Sequence, residues 1–308
     1  MTLRLLLGDQ LNSQHSWFNE VEDDVTYCLF ETHSETTYVK HHIQKVAAFF
    51  LAMRHFADDL AEKGHRVIYH QLGDSPGKTI TENVAVLLKQ TGATKFEYQL
   101  PDEYRLDDEL NSFCASLKIA FKAVDSEHFF TSRTDLSDLF QNKKGYLMET
   151  FYREMRRRHE VLMEPNGEPL TGQWNYDHEN RGKLPKNAEV PKPVRFVRDV
   201  SEIVELLEKE GIPTMGRVQK DAFDYPVTRA EGLETLADFC EHRLIHFGTY
   251  QDALTDRDPL LYHSRISFAM NVKLISPREV IDAAVKEWKG RQEEITFNQL
   301  EGFVRQII

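Results

Sequence analysis

The sequence predicts an α/β domain, a long linker and then an incomplete all-helical domain. Three observations support this division of the 308 residues. Short apolar segments alternate with amphipathic ones up to about residue 130, polar residues and prolines dominate residues 131–226, and only helical patterns follow Pro226. We therefore expect an α/β domain over residues 1–130, a linker over 131–226 and a helical domain over 227–308.

Five short apolar segments in the first domain have the length and composition of buried strands. Amphipathic patterns separate them over Val39–Lys63, Ile80–Lys89 and Asp108–Leu117, and Gly64 and Gly92 follow the first two patterns as C-cap glycines would. Alternating strands and helices form βαβ units, so we expect a Rossmann-like parallel five-stranded sheet with helices on both faces. The predicted strands are Leu3–Leu7, Val25–Phe30, Arg66–Gln71, Lys95–Leu100 and Ile119–Val124.

Polar residues follow the first two predicted strands. Asp9 comes just after the first strand, and Glu35 and Tyr38 come shortly after the second. Ligands of open parallel sheets bind beyond the carboxyl ends of the strands, so these residues are candidate ligand contacts. Helix capping by Asp9 and Glu35 is the alternative. No Gly-x-Gly-x-x-Gly motif is present, so a dinucleotide pyrophosphate site is not indicated.

The linker contains one predicted helix, Gly145–Leu162, which carries the consecutive arginines Arg156, Arg157 and Arg158. Three adjacent guanidinium groups are candidate contacts to DNA phosphates, and a solvated helix face is the alternative.

Helical patterns in the last domain cover Arg229–Phe247 and Arg278–Trp288, and a third begins at Thr296. Thr228 and Ser276 are N-cap candidates, and a proline follows Ser276 at the first helical position. The last helix has an apolar stripe and no C-terminal stop signal, so we expect an uncovered face that promotes self-association. The stripe consists of Phe297, Leu300, Phe303, Val304, Ile307 and Ile308.

The composition is that of a globular protein, with 41% hydrophobic and 29% charged residues. The formal net charge of −12 argues against a nucleic-acid binder that depends on charge alone. The N-terminus has no signal-peptide or membrane-span pattern, so we expect a cytoplasmic protein. Cys28, Cys114 and Cys240 are too widely spaced for a disulfide framework or a cysteine metal site, and we expect each of them to be a small buried residue.

Seven segments carry a resemblance to a known family: residues 7–11 (LGDQL), 37–42 (TYVKHH), 149–159 (ETFYREMRRRH), 172–181 (GQWNYDHENR), 247–254 (FGTYQDAL), 262–267 (YHSRIS) and 271–280 (NVKLISPREV). They resemble the bacterial iron–sulfur photolyases and cryptochromes, which repair (6-4) photoproducts and are also called deoxyribodipyrimidine photolyase-related proteins. The resemblance covers essentially the whole chain, but the chain stops before the Gly-Trp-Arg-Glu-Phe run of that family. Phe268 also stands where the family more usually has a proline, and Lys273 where it has a glycine.

The resemblance implies light-driven, FAD-dependent repair of (6-4) photoproducts in damaged DNA. It also implies a 6,7-dimethyl-8-ribityllumazine antenna in the α/β domain, with Asp9, Glu35 and Tyr38 as contacts. A [4Fe–4S] cluster belongs to the family, but its cysteine ligands and the active-site histidines are absent from this chain. No catalytic residue is therefore assigned, and we expect an inactive fragment. The implied FAD contacts are Tyr250, His263, Ser264, Arg265, Ile266, Ser267, Glu301 and Arg305.

The residues around Ser264 also have a physical rationale as a diphosphate site. Hydroxyls and free backbone N–H groups at a helix start bind phosphate, and Arg265 adds positive charge. Helix capping by Ser264 is the alternative.

Two other functions remain open beside photolyase activity: a non-catalytic lumazine- or nucleotide-binding, light-sensing module, and a fragment that binds no ligand.

Overall fold

The structure, a computed structural model, describes residues 1–308 and divides them into two compact units. The α/β unit comprises Met1–Glu127, Arg195–Glu231 and Asn271–Leu274, and the helical unit comprises His128–Val194, Gly232–Met270 and Ile275–Ile308. The division near residue 127 lies close to the predicted boundary at 130. Within the predicted linker over 131–226, residues 131–194 belong to the helical unit and residues 195–226 belong to the α/β unit.

The sheet of the α/β unit has five parallel strands in the order β3-β2-β1-β4-β5. Each strand lies within two residues of its predicted bounds. Every residue of the second strand is buried, as in a central strand that is covered on both faces. The observed strands are β1 Thr2–Leu5, β2 Val25–Phe30, β3 Val67–His70, β4 Lys95–Gln99 and β5 Ala120–Val124.

Twelve helices occur along the chain, in addition to short 3-10 turns. None of them is long and apolar enough to cross a membrane. In chain order they are α1 His33–Thr37, α2 Ile43–Glu62, α3 Ile80–Thr91, α4 Tyr104–Ser116, α5 Asp135–Phe140, α6 Met148–Arg158, α7 Ser201–Lys209, α8 Arg229–His242, α9 Leu244–Tyr250, α10 Ser267–Asn271, α11 Pro277–Gly290 and α12 Phe297–Ile307.

One face of the sheet packs against α3 and α4. Leu3 and Phe96 from the strands contact Val84 of α3 and Leu110 of α4 in one buried cluster. Gly92 ends α3 with a left-handed φ of +65°, as predicted for a C-cap glycine. Helix α7, which was not predicted from the sequence, packs against α2 and belongs to the α/β unit.

Helices α8 and α11 confirm the two predicted caps, and one predicted helix is divided in the structure. Ser276 caps α11 in a capping box with Glu279, with Pro277 at the first helical position, and the backbone N–H of Glu231 donates to Thr228 at the start of α8. The pattern predicted as one helix over 229–247 is two helices, α8 and α9. The chain leaves helical geometry at Arg243, whose buried guanidinium bonds to Asp238 and to the Pro191 carbonyl.

The middle of the apolar stripe of α12 is buried, so the expected uncovered face is wrong there. Phe297, Ile307 and Ile308 are half-buried, and self-association stays a prediction. Leu300, Phe303 and Val304 are buried within the helical unit. The Phe303 ring lies 4.5 Å from that of Phe239 and 5.2 Å from that of Phe247, both centroid to centroid. Helix α9 thus supplies a partner for α12, and Leu300, Phe303 and Val304 belong to the core of the unit.

Candidate functional site

A cavity of about 250 Å³ opens in the α/β unit at the carboxyl ends of β1 and β2. Its walls come from residues 5–9 after and within β1, residues 30–38 around α1, one face of α2 and residues 101–106 at the start of α4. The three predicted antenna contacts, Asp9, Glu35 and Tyr38, all line it. This is the edge of a parallel sheet at which ligands bind.

Glu35 is held by a bidentate ion pair. Arg105 donates to both of its carboxylate oxygens, at 3.0 and 2.7 Å, and also to Glu103, at 3.0 and 2.9 Å. The hydrogen bonds to Glu35 raise the pKa of the Arg105 guanidinium. The same guanidinium carbon lies 4.4 Å from the ring centroid of Tyr38, within cation–π distance. Arg105, which the sequence analysis missed, therefore organises both predicted contacts on this wall.

Asp9 lies beside a buried lysine. Burial raises the pKa of the Asp9 carboxyl, and Lys273 opposes that rise. The Lys273 ammonium is 2.5 Å from a carboxylate oxygen of Asp102, 2.7 Å from the backbone oxygen of Asp9 and 3.9 Å from its carboxylate. In sequence, Lys273 stands out only as a departure from the resembled family. In the structure it contacts Asp9 and Asp102, which line the cavity.

The α2 side of the cavity is partly apolar and carries one histidine. His41 is buried, its ring lies 4.9 Å from that of Tyr38, and its Nδ1 is 3.3 Å from the Lys45 ammonium. Burial and the charge of Lys45 lower the pKa of His41, so the neutral imidazole prevails near neutral pH. Phe50 and Met53 add apolar surface. The cavity therefore combines apolar surface with a small number of polar groups, as small-molecule sites do.

Glu31 also lines the cavity, but its carboxylate is fully engaged by the protein. Arg54 donates to it at 2.7 and 3.0 Å, the Tyr69 hydroxyl at 2.7 Å and the Leu72 backbone N–H at 2.9 Å. A buried carboxylate with this many donors stabilises the wall and leaves no acceptor for a ligand.

The predicted FAD contacts near residue 264 lie in the helical unit. Tyr250 ends α9 and stacks on Tyr262 with 5.6 Å between ring centroids, and Arg265, with a left-handed φ of +59°, donates to the Val194 carbonyl at 3.2 Å. Ser267 is exposed at the first position of the five-residue helix α10, His263 is exposed, and Ser264 is half-buried. Ile266, by contrast, is buried in the core.

Glu301 and Arg305 are used inside the helical unit. Glu301 is fully buried, accepts hydrogen bonds from the Tyr152 hydroxyl at 2.9 Å and the Tyr176 backbone N–H at 3.1 Å, and has its pKa raised by burial. Arg305 pairs with Asp177 at 2.5 Å. These two residues fasten α12 to α6 and to the turn at residues 176–177.

The three predicted DNA contacts have three different environments. Arg156 is fully buried and donates to the carbonyls of Val161, Leu162 and Trp174, so its prediction as a DNA contact is wrong. Arg157 is exposed and lies 4.6 Å from the Trp174 ring, whereas Arg158 is exposed and pairs with Asp135 at 2.8 Å. The sequence carried a signal for the difference: Tyr152 and Arg156 are four residues apart, and so share the buried face of α6.

Comparison with known proteins gives the family. Residues 4–223 match the family model described as deoxyribodipyrimidine photo-lyase-related protein. The chain belongs to this family. The photolyase-related chain is 33% identical over 311 residues to a (6-4) photolyase of Agrobacterium fabrum, an alignment that covers 99% of the chain and 60% of the relative. It is also 25% identical over 152 residues to the uncharacterized protein R852 of Acanthamoeba polyphaga mimivirus, covering 48% of this chain and 75% of that one.

The fold has a solved counterpart. The crystal structure of a bacterial class III photolyase from Agrobacterium tumefaciens superposes with a TM-score of 0.58 at 14% identity, over 99% of this chain and 56% of that one. The photolyase-related chain thus spans 60% and 56% of the lengths of these two relatives. The structural likeness confirms the predicted α/β fold.

The cysteines of the photolyase-related chain are free and buried, as predicted. Burial raises the pKa of the Cys28 thiol, and raises those of Cys114 to about 11 and Cys240 to about 12. All three therefore stay protonated at neutral pH and pack as small apolar side chains.

Proposed function

We propose that this chain binds 6,7-dimethyl-8-ribityllumazine in the cavity of the α/β unit and serves light-driven, FAD-dependent repair of (6-4) photoproducts in DNA. The observation that carries the proposal is the convergence of Asp9, Glu35 and Tyr38 on one cavity at the carboxyl edge of the sheet. Membership of the photolyase-related family, and a (6-4) photolyase among the relatives, support the same reaction class.

The residues of the cavity fit the lumazine chemically. Phe50 and Met53 offer apolar contact to a planar ring, and Tyr38 can lie along its edge. The Asp9 carboxylate can accept from ribityl hydroxyls, and the neutral His41 offers a ring nitrogen. When bound, an antenna chromophore supplies excitation energy that it has collected from light.

In the helical unit we propose that Tyr250, His263, Ser264, Arg265 and Ser267 hold the FAD diphosphate. Hydroxyl donors and a guanidinium are suitable partners for phosphate oxygens. Bound reduced FAD supplies an electron to the lesion when it is excited by light. The lesion must leave the duplex to reach it, at an unstacking cost that is smallest for damaged bases. We propose Arg157 and Arg158 as phosphate contacts for the damaged DNA, and the cytoplasm as the location of the protein.

The proposal is tested by two measurements on the same protein. Lumazine is first titrated into the protein and followed by its fluorescence, with saturable binding expected. An oligonucleotide that carries a (6-4) photoproduct is then illuminated with protein, lumazine and reduced FAD, and the photoproduct is followed by chromatography. Light-dependent loss of the photoproduct above a flavin-only control supports repair, whereas failure to bind lumazine removes the antenna role.

A second candidate is a lumazine- or nucleotide-binding, light-sensing module without repair activity. It is favoured by the pairing of Glu301 and Arg305 inside the helical unit, because two expected flavin contacts already have protein partners. The visible absorption spectrum of the purified protein separates the candidates. Flavin bands favour repair, and a lumazine band alone favours the sensing module.

A further inference from the structure

Lys273 occupies a backbone conformation that a lysine rarely adopts. Its φ is +64°, in the left-handed region, and its side chain is only 1% exposed. A side chain with a Cβ is strained in this region, and such strain persists only where the surroundings hold the residue in place. The backbone N–H of Leu11 donates to the Val272 carbonyl at 3.0 Å, and the flanking Val272 and Leu274 are buried. The segment is thus anchored next to β1.

The ammonium group of Lys273 lies behind the cavity wall and contacts two of the residues that line it. It donates to a carboxylate oxygen of Asp102 at 2.5 Å and to the backbone oxygen of Asp9 at 2.7 Å. Both aspartates line the cavity. A buried ammonium must be paired to offset its lost hydration, and Lys273 obtains this pairing from two residues that face the ligand space.

The other carboxylates at the cavity have their own cationic partners. Glu35 and Glu103 share Arg105, and Glu31 is paired with Arg54. The ammonium group of Lys45, on α2, lies 3.3 Å from Nδ1 of His41. Asp9 is different, because its carboxylate lies 3.9 Å from Lys273, beyond hydrogen-bond distance. Its carboxylate accepts from its own backbone N–H but from no cation, so it has acceptor capacity left for donors on a ligand.

We propose that Lys273 is the positioning residue of this cavity, and that it holds Asp9 as the acceptor for hydroxyl or N–H groups of an uncharged ligand. The identity of the ligand as lumazine rests on the proposed function, whereas the role of Lys273 rests on the geometry. Without the ammonium, Asp9 and Asp102 are like charges in a partly buried site, and one of them takes up a proton at a higher pH. A protonated Asp9 no longer accepts at that oxygen.

The charge of Lys273 determines how the affinity for lumazine changes with pH. Lumazine affinity is greatest above the pKa of Asp9 and falls by at most about tenfold per pH unit below it. Lys273→Met removes a charge that lowers this pKa, so the loss of affinity begins at a higher pH than in the wild type. Asp102→Asn removes a like charge that raises the same pKa, so the loss begins at a lower pH. The two substitutions thus shift the profile in opposite directions.

The experiment measures the lumazine dissociation constant between about pH 5 and about pH 7.5 for the wild type, Lys273→Met, Asp102→Asn and Lys273→Arg. Lys273→Arg keeps the charge and should retain the wild-type profile. The matched control is Lys95→Met, because Lys95 is 2.6 Å from the buried carboxylate of Glu97 in the same sheet but does not line the cavity. An unchanged profile in Lys273→Met would overturn the proposal, even if the absolute affinity drops.

A second measurement needs no ligand. The carboxyl carbon of Asp9 is titrated by NMR in the ligand-free protein, and its pKa should rise in Lys273→Met and fall in Asp102→Asn. If lumazine does not bind but these shifts occur, the antenna function fails and the positioning role stands. If the Asp9 pKa is the same in all variants, the positioning role fails whatever the protein binds.

Discussion

Arg105 donates one hydrogen bond to each carboxylate oxygen of Glu35, at 3.0 and 2.7 Å, across 70 residues of sequence. Glu35 is on α1 and Arg105 on α4, so the pair joins the two elements that form one wall of the cavity. The cation–π contact of Arg105 with Tyr38 adds a third member. Bidentate pairs of this kind fix geometry as well as charge, so the wall is preorganised before a ligand arrives.

The first prediction concerns this pair. Glu35→Ala and Arg105→Ala should each weaken lumazine binding by about 1–3 kcal/mol, because the pair orders the cavity wall and Arg105→Ala also leaves Glu35 without its cation. The double variant should lose less than the sum, since both substitutions break one interaction. Fluorescence titration measures the effect, with Lys63→Ala, which breaks an exposed pair with Asp59, as the control. An affinity for Glu35→Ala equal to that of the parent would remove Glu35 from the site.

The second prediction separates stability from binding at Asp9. Burial raises the pKa of Asp9 in the folded state above its value in the unfolded state. The folded state therefore binds the proton of Asp9 more tightly, and stability falls as the pH rises through the pKa of the folded state. Asp9→Asn should therefore raise the melting temperature of the ligand-free protein near neutral pH while weakening lumazine binding. Calorimetry at decreasing pH should show the difference in melting temperature shrinking. If Asp9→Asn still raised the melting temperature in acid, the increase could not come from the titration of Asp9.

The third prediction uses two neighbouring arginines with opposite environments. Arg156→Met should cost at least about 2 kcal/mol of unfolding free energy, because three buried carbonyls lose a charged donor. Arg157→Met should change stability by less than about 0.5 kcal/mol, because that guanidinium is exposed. Denaturant unfolding measures both free energies.

In a DNA-binding titration, Arg157→Met should weaken binding and reduce the dependence of affinity on salt concentration. A salt dependence identical to that of the wild type would exclude the phosphate contact.

The fourth prediction concerns the crossing of α9 and α12. A Cβ on Gly248 would lie 2.8 Å from the Gln299 Cα, and one on Gly302 would lie 3.2 Å from the Gly248 Cα. Gly248→Ala should therefore force the helices apart and cost about 1–3 kcal/mol. Gly290→Ala is the matched control, because it ends α11 in open space and should gain up to about 1 kcal/mol. Similar effects for the two variants would contradict the close crossing.

Local patterns were sufficient to predict the sheet and part of the cavity. The strands are short apolar runs bounded by glycines and polar residues, and their alternation with helices determines a parallel arrangement. Because the carboxyl ends of parallel strands meet at one edge, Asp9 and Glu35 could be expected near each other without any knowledge of packing. Helix α7 carried the same kind of signal, with Ile203, Val204 and Leu207 at helical spacing, but the prolines around it obscured the pattern.

The features that were missed depend on distant partners. The stripe of α12 resembles an exposed face in sequence because its cover, Phe239 and Phe247, lies more than fifty residues earlier. Arg105 and Lys273 are ordinary surface residue types in sequence, and become site residues only through contacts that the fold creates. Periodicity reports which face of an element is apolar, but not which side chain from another element will meet it.

The distance between Asp9 and Lys273 has a consequence for the order of assembly. The two residues are 264 positions apart, and α7 also enters the α/β unit from far downstream. During synthesis the five strands emerge within the first 124 residues, long before either late segment. The sheet can therefore form early from short-range contacts, whereas the wall at Asp9 is completed only after residue 273 has left the ribosome. Chromophore capture should therefore follow the synthesis of residue 273, and a ribosome-bound chain that stops short of residue 273 should bind lumazine more weakly than the released protein.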